Sequence, residues 1–123
     1  MNRTLLAIGS ANALLSVALG AFGAHSLQLA ERFAATYQTA AEYHMTHSLA
    51  LLLIASIQDK LAGRRLVRWS GRCIAAGIVL FSGSLYLLSI TEITWLGAVT
   101  PVGGVAFLTG WALLAAAALS REK

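Results

Sequence analysis

Leu5 to Ala24 is twenty residues without one charged side chain. At 1.5 Å per residue, a helix of that length spans about 30 Å, the thickness of a bilayer's hydrocarbon core. Two more uncharged runs follow, at about 73–90 and 101–119, and a fourth at about 38–57 is interrupted only by Glu42, His44 and His47. Within a bilayer every backbone N–H and C=O must be satisfied internally, so apolar runs of this length form helices. The expected architecture is an all-α integral membrane four-helix bundle in a single domain, 1–123, with spans at about 5–24, 38–57, 73–90 and 101–119. Composition agrees: 11% of residues are charged and 58% hydrophobic, where a soluble domain carries roughly a quarter charged.

Arg3 precedes the first run, so a signal peptide is the competing reading, with Ala21 and Gly23 at the small-residue positions of a cleavage site. A signal core runs about 7–15 residues, shorter than this stretch, and we read it as the first span. After it, His25 to Thr36 is more polar and includes Glu31 and Arg32. Leu27, Ala30, Phe33, Ala34 and Tyr37 recur there at helical spacing, which predicts a short interfacial helix or an early turn of the second span.

The net charge of +4 is spread between the apolar runs rather than over a separable basic domain, so no nucleic-acid partner is expected. The central linker holds Lys60, Arg64, Arg65, Arg68 and Arg72, with Arg64, Arg68 and Arg72 on one helical stripe and Trp69 beside them. These arginines are read as lipid-headgroup contacts that set topology, a specific anionic-lipid site being the sharper alternative. Four spans put both termini and this linker on one side, together with Arg3, Arg121 and Lys123, and leave Arg32 alone on the other. The positive-inside rule then predicts a multi-pass protein of the bacterial inner (plasma) membrane, both termini cytoplasmic, with the bilayer as its first partner.

Small residues mark faces where helices can approach closely. Gly9, Ala13, Ser16, Gly20 and Ala24 line one face of the first run, near Gly23; Gly77 lies in the third; Gly103, Gly104 and Gly110 lie in the fourth. Asn12 is deep enough to need an interhelical hydrogen bond. Ser82, Tyr86 and Ser89 form a polar stripe on the third span. Thr100 is placed to cap the fourth helix ahead of Pro101, a residue suited to the first helical position.

Chemistry, if any, passes through the second span. Counted from Gln38, His47 lies about 13 Å in and Glu42 about 6 Å in, where His25 at the end of the first span could meet it. The candidate polar cluster, for ligand binding or for packing, is His25, Glu42, Tyr43, His47, Ser82 and Tyr86. Tyr43, Asn12, Ser16, Ser82 and Tyr86 are the partners open to a neutral His47. His44 and His47 are about 60° apart on the helix, but Glu42 is about 140° or more from either. Met45 stands where a Glu-x-x-His pattern needs histidine, so no metal is expected from this helix alone. Haem would need His25 as second axial ligand, and no Cys-x-x-Cys-His is present, so no cofactor is expected. One histidine near the midplane makes a thin proton relay. Gly-x-Ser-x-Gly, His-Glu-x-x-His and a phosphate-binding loop are all missing, and Phe81–Leu85, FSGSL, is an elbow only loosely. Cys73, the single cysteine, excludes an internal disulfide and reads as a small packing residue, with Arg72 adjacent keeping a reactive thiol open.

GAFGAH at Gly20–His25, Thr39–Leu52 around Glu42, Tyr43 and His47, FSGSLY at Phe81–Tyr86 and TPVGGVAFLTGW at Thr100–Trp111 occur in that order. Together they resemble domain-of-unknown-function family 423, the YgdD-like small bacterial inner-membrane proteins related to small animal transmembrane proteins. The family pattern includes the equivalents of His25, Glu42, Tyr43, His47, Ser82, Gly83, Ser84, Tyr86, Pro101, Gly103 and Gly104, and leaves out His44. The resemblance implies a membrane protein and supplies no activity. The function expected is non-enzymatic, acting through helix packing as a homo-oligomer or an accessory subunit of a membrane complex. The alternatives are a small transporter or channel lined by His47, Glu42, Tyr86 and the glycines near Pro101, and more distantly a haem or metal protein.

Overall fold

A computed structural model of the chain describes residues 1–25, 28–29 and 31–121, the side chain of Arg32 excepted. The described residues are helical, without strands: α1 (Arg3–His25), α2 (Glu31–Ile57), α3 (Arg64–Thr91) and α4 (Thr100–Leu119), with 3-10 turns at Gln58–Lys60 and Thr94–Ala98. α1 and α3, and α4 together with the turn before it, are long and apolar enough to cross a membrane. α2 is not among them. Its 27 residues would extend about 40 Å, but Glu42, His44 and His47 dilute its hydropathy.

Local chemistry sets the boundaries. Asn2 caps α1, its Oδ1 accepting from the Leu5 N–H at 3.0 Å. α3 ends on Glu92 in the left-handed region (φ 59°), whose N–H reaches the Leu88 carbonyl at 2.8 Å. Two expectations change here. Phe33, Ala34 and Tyr37 belong to the first turns of α2 rather than to a separate interfacial helix, and Leu27 and Ala30 lie outside the described residues. Phe33 and Tyr37 are buried, so this segment is held by packing and not by the interface. Thr100 does not cap α4: the cap residue is Val99, and the Thr100 hydroxyl pairs with Ser84 Oγ of α3 at 2.7 Å.

α1 lies along α2, while α3 packs against both α2 and α4. The α3–α4 seam is made of small residues. A Cβ on Gly103 would stand 2.7 Å from Phe81 Cα, and one on Gly110 2.6 Å from Ile74 Cγ1. Gly77 is pressed against the Phe107 ring, and Ser70 Oγ donates to the Gly110 carbonyl at 2.8 Å. α3 opens into a π-helical turn at Ile78–Ser82, the level where Gly103 meets it. On α1, Gly9 abuts Leu51 and Leu52, and Gly23 the Tyr37 ring. Gly20 and Gly104 differ from the expectation of close packing: nothing stands within 4 Å of a Cβ at Gly20, and Gly104 has one ordinary contact at 3.9 Å.

Polarity runs inward. Ser16, His44, His47, Ser48, Ser70, Ser82, Ser84 and Ser89 are buried, whereas Leu14, Val79, Val105 and Leu108 are 62–72% exposed. Water would favour the reverse; a hydrocarbon solvent accepts the apolar exterior and drives hydroxyls to find partners inside. The two chain ends meet at one end of the molecule. The Met1 amine pairs with Asp59 at 2.6 Å, the Asn2 N–H donates to the Ala55 carbonyl at 3.1 Å, and a Cβ on Gly63 would stand 3.2 Å from Ser120. Arg3, Lys60, Arg64, Arg65, Arg68, Arg72 and Arg121 are exposed at this end. Lys123 lies outside the described residues.

Candidate functional site

Two histidines organise the interior, and they use different neighbours. His44 Nε2 lies 3.0 Å from Asn12 Oδ1 on α1, and its Nδ1 lies 3.0 Å from the Tyr86 hydroxyl on α3. Asn12 spends its amide nitrogen on the Ile8 carbonyl at 2.9 Å, so Oδ1 faces His44 as an acceptor. The Nε2–H therefore donates to Asn12, and Nδ1 accepts from Tyr86. His47 has the opposite tautomer. Its Nδ1–H donates to the Tyr43 carbonyl at 2.7 Å, and Nε2 accepts from the Trp111 indole N–H at 3.0 Å. A second proton, on His47 Nε2, would have to displace that indole donor.

Aromatic rings complete the enclosure. The His47 ring stacks on Phe107 with centroids 3.6 Å apart, and Trp111 meets it edge-on at 5.8 Å. Tyr43 packs on Phe81 at 4.6 Å but remains half-exposed. Tyr37 meets Tyr86 edge-on at 5.2 Å, and its hydroxyl donates to the Leu19 carbonyl of α1. All four imidazole nitrogens are occupied. Ligation of an ion by either ring would first break a hydrogen bond, and among the described residues no three His, Cys, Asp or Glu side chains converge.

The six expected cluster residues do not form one group. His47 and Tyr43 are adjacent on α2, Tyr86 on α3 is hydrogen-bonded to His44 instead, and Ser82 is buried with its Oγ unpartnered among the described residues. His25 is exposed at the end of α1, and among the described residues no ion pair or hydrogen bond joins it to Glu42. The reason is register. α2 starts at Glu31 rather than near Gln38, which carries Glu42 further along the helix. Ser16 Oγ donates to the Ala41 carbonyl at 3.1 Å, so Glu42 stands level with Ser16. Ser16 is nine residues from His25 and thirteen from Arg3, about 14 Å and 20 Å from the two ends of α1. Glu42 is thus near mid-length of the bundle, exposed on its outer surface, and among the described residues its one hydrogen-bond partner is Gln38 Nε2 at 3.3 Å.

His44, Asn12 and Trp111 were not among the expected cluster. His44 carried a readable signal, lying three residues before His47 and thus on the same buried face. At the end opposite the arginines, a cavity of about 440 Å³ opens between α1 and α2 and is lined by Gly20, Gly23, Gln28, Tyr37, Gln38 and Ala41. The space beside Gly20 belongs to it. Arg64, Arg65, Arg68 and Arg72 stand exposed on the first turns of α3, with the Arg72 guanidinium 4.8 Å from the Trp69 ring centroid.

Comparison with known proteins returns the same class of molecule. Residues 19–104 match a family model described as protein of unknown function (DUF423). The chain is 47% identical over 119 residues to UPF0382 membrane protein YwdK of Bacillus subtilis, covering 95% of this chain and 97% of that one. It is 43% identical over 114 residues to a UPF0382 membrane protein of Staphylococcus aureus, covering 91% and 92%. A UPF0382 membrane protein of Staphylococcus epidermidis is 41% identical over 119 residues, covering 95% and 96%. No solved structure matches. With its apolar exterior, its membrane-length helices and these relatives along nearly its whole length, the chain belongs to the DUF423 (UPF0382) family of membrane proteins.

Proposed function

We propose that this is a four-pass plasma-membrane protein, both termini cytoplasmic, which works without catalysis by seating another transmembrane helix on the outward face of α2. The observation that carries this reading is Glu42. A carboxylate near mid-length of a membrane bundle, exposed on its outside, would face lipid in an isolated monomer, at a cost of several kcal/mol (roughly 2.5–3.5 on insertion scales). The same face presents Ala35, Thr39, Glu42, Thr46, Leu49, Leu53 and Ser56 at alternating spacings of four and three. That is the seam along which helices pack side by side. Two copies in one membrane run parallel, which puts the two Glu42 side chains at one depth, with Gln38, Thr39 and Thr46 of each copy about 4–6 Å above or below them, near enough to supply donors to the carboxyl groups. A second copy is therefore the favoured occupant, with the role of accessory subunit in a larger complex as the other outcome.

The orientation reading draws on the exposed cations that share the end carrying both termini. The packed histidines weigh against a path through the centre, because His47 and Tyr86 are tied to neighbours and Gly103 is closed against α3.

The test is disulfide cross-linking in native membranes, on a Cys73→Ser background. Thr46→Cys should form a covalent dimer, and Leu108→Cys, on the exposed surface of α4, should not. Cross-linking of Thr46→Cys to a different protein would assign the accessory role. No cross-link at Thr46, or an equal one at Leu108, would overturn the α2 interface.

A further inference from the structure

At the arginine-bearing end, α1 and α3 both rest on α2 and leave a groove between themselves. Its volume is about 240 Å³; Leu5, Ile8, Val67, Gly71 and Ala75 supply its apolar lining, and Asn2, Gln58, Arg68 and Arg72 its polar lining. Leu5 lies over Gly71, where a Cβ would stand 3.5 Å from Leu5 Cδ2, so the floor is closed by side chains. Directly adjoining it, and sharing Gln58 and Arg68, is a polar cavity of about 280 Å³ that also includes Asp59 and Arg64. One molecule with a charged head and an apolar tail fits such a pair of spaces.

We propose that this groove is a binding site for an anionic glycerophospholipid. The phosphodiester sits between Arg68 and Arg72, the polar head reaches toward Gln58 and Arg64, and one acyl chain descends along Leu5, Ile8 and Ala75. Several features converge. Arg68 and Arg72 are one turn apart, about 6 Å along α3, and guanidinium forks match phosphate oxygens bidentately. Among the described residues neither has a carboxylate partner, and Asp59, which lines the adjoining cavity, is already paired with the Met1 amine. Below Arg72, Cys73 to Thr91 extends about 28 Å, enough for the hydrocarbon layer, so the arginine stripe falls at headgroup depth. Trp69, half-exposed beside Arg72, lies at the same level, where indole rings anchor. A topology signal alone needs only charge. The site needs both the arginine pair and the apolar floor.

Native mass spectrometry of the detergent-solubilised protein with equimolar phosphatidylglycerol and phosphatidylcholine tests this. The expected result is selective retention of phosphatidylglycerol. Arg68→Gln with Arg72→Gln should lower that retention about tenfold or more, and Ala75→Leu, which fills the groove without touching charge, should lower it as well. Arg121→Gln, an exposed cation at the same end that lines neither cavity, should leave it unchanged, with helicity by circular dichroism as the check that each variant is folded. Loss in Arg121→Gln equal to that in the Arg68/Arg72 variant, or retention in Ala75→Leu equal to wild type, would reduce the site to bulk surface charge and overturn the proposal. So would equal retention of the two lipids. Inorganic phosphate that displaces the lipid at millimolar concentration would reassign the arginines to a free anion and refute the lipid occupant.

Discussion

Adding one methyl group at Gly103 should damage the bundle, while the same methyl one residue later should not. A Cβ at Gly103 would stand 2.7 Å from Phe81 Cα and 2.8 Å from Leu80 C, whereas carbon contacts settle near 3.5–4.0 Å. The missing distance is about 1 Å, and both neighbours are backbone, so no rotamer change relieves it. α4 has to move outward, which loosens Gly77 against Phe107 and stretches the 2.8 Å bond from Ser70 to the Gly110 carbonyl. Overpacking of this kind costs about 1–3 kcal/mol, and the strained hydrogen bond adds up to about 1 kcal/mol. The better helix propensity of alanine returns about 0.5–1 kcal/mol. Gly103→Ala should therefore lose about 2 kcal/mol. Gly104→Ala meets Phe81 Cδ2 at 3.9 Å and keeps only the propensity gain, so it should be neutral or slightly stabilising. Reversible unfolding in mixed micelles, by sodium dodecyl sulfate titration and circular dichroism, measures both. Equal effects at the two positions would refute the close approach of α4 to the π-helical turn of α3.

Other outcomes follow from the interior and from the terminal contacts. In a double-mutant cycle, His44→Ala and Tyr86→Phe should couple by about 0.6–1.7 kcal/mol, the range of interhelical hydrogen bonds in membranes, because Tyr86 donates to His44 Nδ1. Ser82→Ala should cost less than about 0.5 kcal/mol in the same unfolding assay, since its buried hydroxyl has no partner to lose among the described residues. The hydrogen bond from the Met1 ammonium, and then its charge, hold the Asp59 carboxyl below the ordinary carboxylate range. A depressed carboxyl contributes stability that is fully present above its unfolded pKa, about 3.9, and is lost as pH falls through the folded value. Stability curves of wild type and Asp59→Asn, taken from pH 6 downward, should therefore converge at the acid end.

How much of this was legible in the residues depended on whether a feature was local or relational. Long uncharged runs can only be helices in a bilayer, and glycines such as Gly103 and Gly110 have little use in a helix except to let another come near. The start of α2 was harder to read. Phe33, Ala34 and Tyr37 carry a helical period that suits an interfacial helix and an early turn equally, and only the burial of Phe33 and Tyr37 decides between them. That choice moved Glu42 away from His25 and toward mid-length. Partner choice was equally relational. Asn12 and Tyr86 were open as partners of His47, yet they serve His44, because helical period gives the face of a residue and not which neighbour covers it. Thr100 illustrates the same point, its hydroxyl going to Ser84 rather than to its own helix.

The central claim is that α2 crosses the membrane although it is less apolar than α1, α3 and α4. Parity decides it, since three crossings separate the termini and four keep them together. On a Cys73→Ser background, Arg3→Cys and Arg121→Cys can be probed in intact spheroplasts with a membrane-impermeant maleimide. The account predicts that both stay unlabelled until the membrane is opened. Labelling of one terminus but not the other in intact spheroplasts would contradict it.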